Sequence, residues 1–443
     1  MKRVVILGGG FAGATLAQRL ERLAARSDLE IVLLNRDNYF VFTPLLIEAG
    51  TGALEPRHAV VPLRDFLRRA TLRTAEIVGF DAARRQVHFR VIGKEHAETL
   101  DWDHAVIALG SVTRQPPVPG LAEHGFELKD LPDAVALRDR AIRLLEQADA
   151  TPDPGERRGL LHFIVVGGNY SGVEVAGEFQ VFVREAARAY RNLDPRECRV
   201  TLIELAPRIL PALDEDLARY ALDQLVRRGT DVLLASSVRE VAADHVIVSD
   251  GRVLPTRTVI WCAGIAPNPL LARLGLPLDE RGWLQCEADL RVRGHDAVWG
   301  LGDCAVVPGP DGTPYPATAQ HAVLAARHLA GNLERALDGR PTRPAVLRSR
   351  GALAALGCRT AVAKVFGLRL SGFTAWFLWR TVYLFKMPGW SRRLRVAIDW
   401  TMGLLFPRAV VQLGIHRASW PQGTGVREQG TATLRPPSLT PDS

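Results

Sequence analysis

Residues 3–13 read RVVILGGGFAG, and this stretch predicts the fold of the chain that follows. A short aliphatic run at residues 4–7 leads into Gly8, Gly10 and Gly13 at G-x-G-x-x-G spacing, and a helical pattern continues through residues 12–26. In such a unit the first glycine permits a tight turn, the second lets the backbone approach a pyrophosphate, and the third lets helix and strand pack closely. The helix N-terminus then faces the phosphate charge. The stretch therefore predicts a dinucleotide-binding fold.

The second strand of this unit, residues 30–34, ends at Asn35. An acidic residue is usual at this position, where it binds the ribose hydroxyls. The Asn35 amide can accept one hydrogen bond but carries no charge, so we expect a weaker ribose contact. Arg36 is interpreted either as a residue that lies along an adenine ring or as a solvated surface side chain.

A second strand, turn and helix begin at residue 162. The turn contains Gly167, Gly168 and Gly172, with Asn169 in the place of the middle glycine. Asparagine tolerates positive φ better than most residues, so we expect the turn to survive, although its side chain limits how closely a phosphate approaches. Two such units in one chain predict a tightly bound FAD in the first and a diffusible NAD(P)H in the second.

Glu204 follows the next strand, residues 199–203, at the position that corresponds to Asn35. A carboxylate there binds the ribose 2′-hydroxyl and repels a 2′-phosphate, which favours NADH over NADPH. Arg208 lies four residues further on and weakens this preference. Two more apolar strands exit through glycines, Gly110 and Gly264, and fit the ends of the two units.

The length of 443 residues is enough for two or three domains. The composition, 47% hydrophobic and 23% charged, is that of a folded globular protein. The first strand lies at the N-terminus, so we expect no signal peptide. Five cysteines without a C-x-x-C pair indicate a reducing cytoplasm. No cysteine precedes Cys198, which argues against a flavin disulfide reductase, because its redox cysteine pair would follow the first glycine turn. Cys262, in an apolar strand, is interpreted as a packing residue. No cluster of metal-ligating residues is evident.

The net charge of +8 is unevenly placed. Residues 340–420 carry fourteen Lys and Arg against one acid, Asp399, a charge of +13 against about −5 for the remainder. This asymmetry indicates a local contact surface and not a nucleic-acid-binding protein.

The same region is rich in Trp and Phe, but its longest uncharged run, residues 370–379, has only ten residues. A transmembrane helix needs roughly 20. Basic residues between aromatic clusters predict a helix that lies in the interface of an anionic membrane. The alternatives are an internal amphipathic helix pair and a dimer interface. Residues 421–443, rich in Pro, Thr, Gly and Ser, predict a disordered tail.

Residues 38–46, NYFVFTPLL, are apolar without a helical or strand period. Followed by Gly50 and Gly52, they resemble a motif of the type II NADH dehydrogenases, the single-chain NADH:quinone oxidoreductases that do not pump protons; the alternative is a packed core loop. The resemblance extends to residues 258–268 and 302–303 and covers the chain to about residue 414. The departures are Asn35, Asn169, and an apolar stretch at 323–325 where a second glutamine is common.

The resemblance implies roles for individual residues. Glu174 and Glu178 would lie on the helix after the second glycine turn, with Glu174 near the nicotinamide; the alternative is a pair of surface carboxylates. Gln320 would contact the quinone. His321 is interpreted either as a ligand or as a helix-surface residue. The residues that would lie near the FAD are Thr43, Pro44, Gly302, Asp303 and Ala319, with Asp303 at the ribityl–phosphate region.

Taken together, these features predict an α/β fold with two Rossmann-like dinucleotide-binding domains and a C-terminal amphipathic helical membrane-attachment region. We expect an FAD-binding domain at residues 1–115 and 280–340, an NAD(H)-binding domain at 160–279, and a membrane-associated region at 345–420.

The resemblance further implies that a hydride passes from NADH to FAD and two electrons then pass to a membrane quinone. It also implies peripheral attachment to the cytoplasmic face of the cell membrane and a homodimer. Two alternatives remain open: another flavin quinone reductase, such as one that acts on sulfide, and a slow-turnover redox-sensing flavoprotein.

Overall fold

The computed structural model describes residues 1–25 and 28–414. The last residue of the predicted first helix, Arg26, and the predicted tail at 421–443 therefore lie outside the described residues. The helices of the described part, numbered in chain order, are α1 Phe11–Ala24, α2 Leu46–Gly50, α3 Leu63–Phe66, α4 Leu121–His124, α5 Leu131–Ala150, α6 Pro154–Leu160, α7 Tyr170–Ala187, α8 Glu215–Arg227, α9 Ala319–Leu337, α10 Gly372–Lys386 and α11 Trp390–Leu405.

A seven-stranded sheet forms the first dinucleotide-binding unit. Its strands, in spatial order, are Val298–Gly300, His104–Ile107, Lys2–Leu7, Leu29–Asn35, Thr71–Asp81, Gln86–Val91 and Ala97–Asp101. The first five are parallel and the last two complete an antiparallel meander. Residues 4–7 are fully buried because this strand has a neighbour on either side and α1 packs nearby. The strand at 298–300 returns the chain to this sheet from nearly two hundred residues further along.

A five-stranded parallel sheet forms the second unit. Its strands, in spatial order, are Gly125–Phe126, Thr258–Trp261, His162–Val166, Arg199–Ile203 and Thr230–Leu233. A separate antiparallel sheet follows in Val238–Val241, His245–Val248 and Val253–Pro255. The two glycine turns occupy the same place in their sheets, since Gly8 N donates to Leu34 O and Gly167 N donates to Ile203 O, each at 2.8 Å.

Three short two-stranded pairs complete the body of the chain. They join Tyr39–Val41 to Val60–Pro62, Ser111–Thr113 to Ile265–Pro267, and Leu284–Gln285 to Ala305–Val306. The second pair connects the exits of the two units, because each of its strands follows a glycine exit, Gly110 or Gly264.

The C-terminal region begins with a three-stranded antiparallel sheet, Gly351–Ala355, Ala361–Val365 and Leu368–Ser371. The prediction of a simple interfacial helix missed this sheet. Two helices follow, α10 and α11, and each buries one side, with Trp379 and Trp400 almost fully enclosed. No helix within residues 1–25 and 28–414 is both long enough and apolar enough to span a bilayer.

The outer side of α10 and α11 is apolar. We call the following set of large exposed side chains the apolar face: Phe373, Phe377, Phe385, Trp390, Leu394, Ile398, Leu405 and Phe406, which are 51–76% exposed. An exposed apolar surface of this extent is typical of a protein or membrane contact.

Candidate active site

The first glycine turn requires glycine at two positions for the protein's own packing. Gly8 has φ +105°, and a Cβ there would lie 2.3 Å from Ala108 O. A Cβ on Gly13 would lie 1.9 Å from Gly8 O. At Gly10, by contrast, a Cβ would meet no protein atom within 4 Å. The open space at Gly10 is therefore room for a ligand, as the motif predicts.

The N-terminus of α1 lacks a side-chain cap. Gly10 is its N-cap residue, and no acidic residue lies in the first turn. The first N–H groups of a helix have no partner within the helix, and its dipole favours an anion at this end. The turn and the bare helix N-terminus thus fit the pyrophosphate of a dinucleotide.

Asn35 organises this turn from the side. Its Oδ1 accepts a hydrogen bond from Gly9 N at 2.8 Å, and its Nδ2 donates to Asp37 O at 2.7 Å. The side chain is therefore engaged by the backbone of the turn and of the loop that follows. Arg36 is exposed and lies 3.5 Å from Asp37 Oδ2. The proposed contacts of Asn35 and Arg36 with the nucleotide remain predictions.

Asp303 lies beside the first turn. It follows the strand Val298–Gly300 in a short 3₁₀ turn, and a Cβ on the preceding Gly302 would be 3.0 Å from Ala12 Cβ. Its Oδ2 accepts a hydrogen bond from Ser111 Oγ at 3.3 Å. Ser111 directly follows Gly110, where φ is +64° and a Cβ would meet nothing within 4 Å.

Thr43 and Pro44 form a 3₁₀ turn between buried Phe42 and Leu45. The Phe42 ring lies 5.6 Å from that of Phe11 in α1 and 6.3 Å from that of Tyr383 in α10. The motif therefore packs through its aromatic residues while Thr43 is exposed. Both the packing role and a contact with the cofactor are compatible with this arrangement.

The second glycine turn differs at its middle position. The turn survives, as expected, but Asn169 does not use its tolerance of positive φ: Gly167 carries the positive φ, +108°, whereas Asn169 has φ −74°. Asn169 is the N-cap of α7: its Oδ1 accepts from Gly172 N at 3.0 Å and its Nδ2 donates to Cys262 O at 2.8 Å. One donor of the helix N-terminus is therefore already occupied.

Glu204 holds the second turn from the position that Asn35 has in the first. Its Oε2 accepts from Gly168 N, and its Oε1 accepts from Ala206 N at 2.6 Å. Arg208 donates to Pro211 O at 2.7 Å and to Leu213 O at 3.5 Å. Because its guanidinium is bound to these carbonyls, Arg208 opposes the NADH preference less than the sequence spacing indicates.

Gln320 and Ala319 begin α9, whose N-cap Thr318 accepts a hydrogen bond from His321 N. Gln320 Nε2 donates to Ser349 Oγ at 2.7 Å, which connects the start of α9 to the segment before the C-terminal sheet. His321 Nδ1 lies 2.8 Å from Thr318 Oγ1, and partial burial lowers the pKa of His321. His321 therefore helps to cap the helix.

Glu174 faces the C-terminal region. Its Oε1 accepts from Ala355 N at 3.1 Å and from Trp379 Nε1 at 3.3 Å. Burial raises the pKa of Glu174 to about 8, while these two hydrogen bonds oppose the rise. Glu178, one turn further along α7, is paired with Arg408 at 2.7 Å.

Glu48 of α2 belongs to the same cluster, and sequence reasoning missed it. Trp400 Nε1 donates to Glu48 Oε2 at 2.7 Å, and Arg380 lies 3.9 Å from Glu48 Oε1 with its guanidinium between the rings of Trp376 and Trp400. Burial raises the pKa of Glu48 to about 7, and Arg380 opposes the rise. A single acid in the apolar run after the FTPLL motif was the available signal.

The cysteines bear on the sulfide alternative. All five are free, and burial raises the thiol pKa of Cys198 and Cys262 to about 12 and of Cys304 to about 11, with Cys286 raised as well. Sulfide chemistry needs reactive thiolates, which a raised pKa disfavours. These four thiols therefore give that alternative no support.

Comparison with known proteins identifies relatives that match most of the chain. Residues 2–326 match the pyridine nucleotide-disulphide oxidoreductase family, and residues 350–409 match the NDH2 C-terminal domain. A type II NADH:quinone oxidoreductase of Mycobacterium tuberculosis is 30% identical over 92% of this chain and 89% of its own. A demethylphylloquinone reductase of Synechocystis is 32% identical over 90% of this chain and 95% of its own.

The fold agrees with these relationships. The structure of NDH2 from Plasmodium falciparum in complex with NADH superimposes with a TM-score of 0.85, at 20% identity, and the match covers 93% of this chain and 99% of that one. The glycine turns, the α/β architecture and the C-terminal region are thus all accounted for by one family. The chain belongs to the type II NADH:quinone oxidoreductases.

Proposed function

We propose that this protein binds FAD in its first unit and NADH in its second, and that it oxidises NADH and reduces a quinone. The observation that carries the proposal is the pair of glycine turns. The residue at the end of the second strand is the neutral Asn35 in the first unit and the charged Glu204 in the second. The C-terminal region contacts both units. When bound, FAD supplies the hydride acceptance and the two-electron transfer that no side chain can perform.

The residues proposed to hold FAD surround the bare N-terminus of α1. Gly10 leaves room for the pyrophosphate, and the free N–H groups of the helix face its charge. Asp303 would accept hydrogen bonds from the ribityl hydroxyls. The remainder of the cofactor would lie against Gly110, Thr43 and Pro44.

The residues proposed to hold NADH surround the second turn. Glu204 would accept a hydrogen bond from the ribose 2′-hydroxyl, and its charge would repel the 2′-phosphate of NADPH. The N-terminus of α7 and Gly167, Gly168 and Gly264 would receive the pyrophosphate, with Asn169 limiting the approach.

Gln320 and Glu174 are proposed to act at the quinone. Reduction of a quinone to a quinol takes up two protons, and a carboxyl with a pKa near 8 holds a proton at neutral pH. Glu174 is therefore suited to retain a proton beside the reaction, and Gln320 Nε2 is suited to donate a hydrogen bond to a quinone carbonyl. The nicotinamide contact that the family resemblance implies for Glu174 remains part of this proposal.

The test is steady-state turnover with NADH and menadione, followed by stopped-flow measurement of the two half-reactions. We expect several turnovers per second, and we expect Gln320→Ala to slow quinone reduction more than flavin reduction by NADH. Protein with a full complement of FAD and a turnover near zero would instead favour the redox-sensing alternative. Equal loss in both half-reactions would reject the role of Gln320.

Peripheral membrane attachment is proposed to use the apolar face. Burial of each large apolar side chain contributes about 1.5–3 kcal/mol, and nearby basic residues add about 1 kcal/mol each at an anionic surface. The orientation toward the cytoplasmic face and the homodimer rest on the family resemblance.

The double variant Phe377→Glu/Leu394→Glu tests the attachment by co-sedimentation with anionic lipid vesicles. We expect it to lose most of the binding. The control is Val226→Glu/Val253→Glu, which changes two exposed apolar residues of the second unit. Equal loss in both variants, or retention in the first, would contradict the assignment.

A further inference from the structure

Lys129 is a charged residue that the proposed function does not use. It lies between the strand Gly125–Phe126 and α5, and its backbone is held in place because Lys129 N donates to Asp133 Oδ2 at 3.0 Å. Asp133 and Asp130 together form the capping box at the start of α5. The side chain therefore leaves a fixed point of the backbone.

That side chain reaches the first unit. Lys129 Nζ donates to Ser111 Oγ at 3.2 Å, and Ser111 Oγ in turn donates to Asp303 Oδ2 at 3.3 Å. One hydroxyl thus connects an ammonium to a carboxylate, and the three residues come from three separate segments. Burial lowers the pKa of Lys129, while the charge of Asp303 opposes the decrease.

Charge explains why a lysine is useful there. Asp303 lies against the first turn of α1, where the pyrophosphate of FAD brings further negative charge. A carboxylate placed beside phosphates is unfavourable unless a positive charge compensates it. An ammonium has three N–H donors, so Lys129 can hold Ser111 and still offer donors to the carboxylate or to the cofactor.

We propose that Lys129 is a cofactor-positioning residue: acting through Ser111, it orients the Asp303 carboxylate toward FAD and compensates its charge. The inference rests on the proposed FAD site. Lys129 belongs to the segment that joins the strand Gly125–Phe126 of the second sheet to α5, and not to the segments that form the first sheet. A residue from this connecting segment thus contributes to FAD retention.

The experiment measures the dissociation constant of FAD by reconstitution of apoprotein, followed by flavin fluorescence. Lys129→Met should raise it at least tenfold, because a charge-assisted hydrogen bond is lost, and Lys129→Arg should stay within threefold of the original protein. The control is Lys94→Met, an exposed lysine paired with Glu98, which should change nothing.

A double-mutant cycle distinguishes the proposed charge compensation by Lys129 from a purely structural role. In an Asp303→Asn background no carboxylate remains to be compensated, so Lys129→Met should then have less than a third of its original effect. Ser111→Ala removes the bridge while it leaves both charges in place, and it serves if Lys129→Met does not fold. We expect Ser111→Ala to weaken FAD at least fivefold.

The inference is overturned if Lys129→Met leaves FAD affinity within twofold of the original, if its effect is the same in the Asp303→Asn background, or if Ser111→Ala has no effect. Its failure is distinct from failure of the proposed function. Tight FAD binding without quinone reduction would reject the function and leave the Lys129 result valid.

Discussion

The helix N-terminus of the first unit carries Gly10, whereas that of the second carries Asn169. Gly10 makes no side-chain cap and leaves the helix donors free, while the Asn169 side chain occupies Gly172 N and Cys262 O. The residues at the ends of the second strands also differ. Asn35 is neutral and hydrogen-bonded to backbone groups, whereas Glu204, which accepts from Gly168 N, is a carboxylate.

The difference teaches how one fold serves two kinds of ligand. In the first turn Gly9 N is bound to Asn35, but no side chain caps the start of α1, so each free helix donor adds to affinity when a ligand binds. A site whose own side chain caps the helix N-terminus gains less from its ligand and releases it more readily. The first arrangement suits a resident cofactor, and the second suits a nucleotide that must exchange in every turnover.

Gly10→Ala should break the comparison most strongly. The protein has room for the methyl group, so the variant should fold, but the methyl occupies space that the pyrophosphate needs. We expect the FAD dissociation constant to rise on the order of 100-fold, about 3 kcal/mol. The control is Gly331→Ala in α9, where a Cβ also meets nothing within 4 Å. Normal FAD content in Gly10→Ala would disprove the role of the open space.

Glu174→Gln should expose a pH dependence that arises in the second unit. The pKa of Glu174 is raised from 4.5 to about 8, so the folded protein binds this proton more tightly than the unfolded chain does. The contribution is present below about pH 4.5 and is lost as pH rises through 8. Glutamine has no charge at any pH, so the stability of the variant relative to that of the original protein should increase by about 3 kcal/mol between pH 5.5 and 8.5.

Thermal unfolding at the two pH values measures this gain, with Glu215→Gln as a control at an exposed carboxylate. A stability difference that does not change with pH would show that Glu174 is ionised normally.

Glu204→Gln should sharpen the comparison by removing the charge that distinguishes the second site. We expect the ratio of kcat/KM for NADH to that for NADPH to fall about tenfold, roughly 1.4 kcal/mol. Arg208→Met should change this ratio less than twofold, because the guanidinium is bound to carbonyls. If both variants change the ratio equally, the preference has another source.

Asn35→Asp should have the smallest effect and an unexpected sign. The sequence pattern favours an acid here, but a carboxylate would lose the donation to Asp37 O and face that carbonyl. We expect FAD affinity that is no tighter than the original and a stability loss of about 1 kcal/mol. Tighter FAD binding would show that ribose recognition outweighs the turn.

The glycine turns could be predicted because their glycines follow a fixed spacing within a short stretch of sequence, even where the atom that a Cβ would meet lies in a distant strand exit. Gly8, Gly13, Gly167 and Gly172 are all positions where a Cβ would collide with the turn itself or with an adjacent strand exit. Glu204 could be placed for the same reason.

Two long-range contacts could not be predicted from the sequence: the one between Glu48 and Trp400, and the bridge from Lys129 through Ser111 to Asp303. In each case the two end residues lie more than a hundred positions apart in the chain. The C-terminal sheet was missed because its first two strands, GALAA and AVAKV, contain much alanine and little of the β-branched pattern that marks strands.

Asp399, the one acid in the basic C-terminal region, faces the first unit. Its Oδ2 lies 2.5 Å from His58 Nδ1 and accepts a hydrogen bond from Glu55 N at 3.2 Å. Together with the neighbouring Trp400, which is bound to Glu48, it fixes the roll angle of α11 about its own axis. The helix cannot rotate to expose another side without breaking these contacts, so the direction in which Leu394 and Ile398 point is set by the body of the protein before any surface is met.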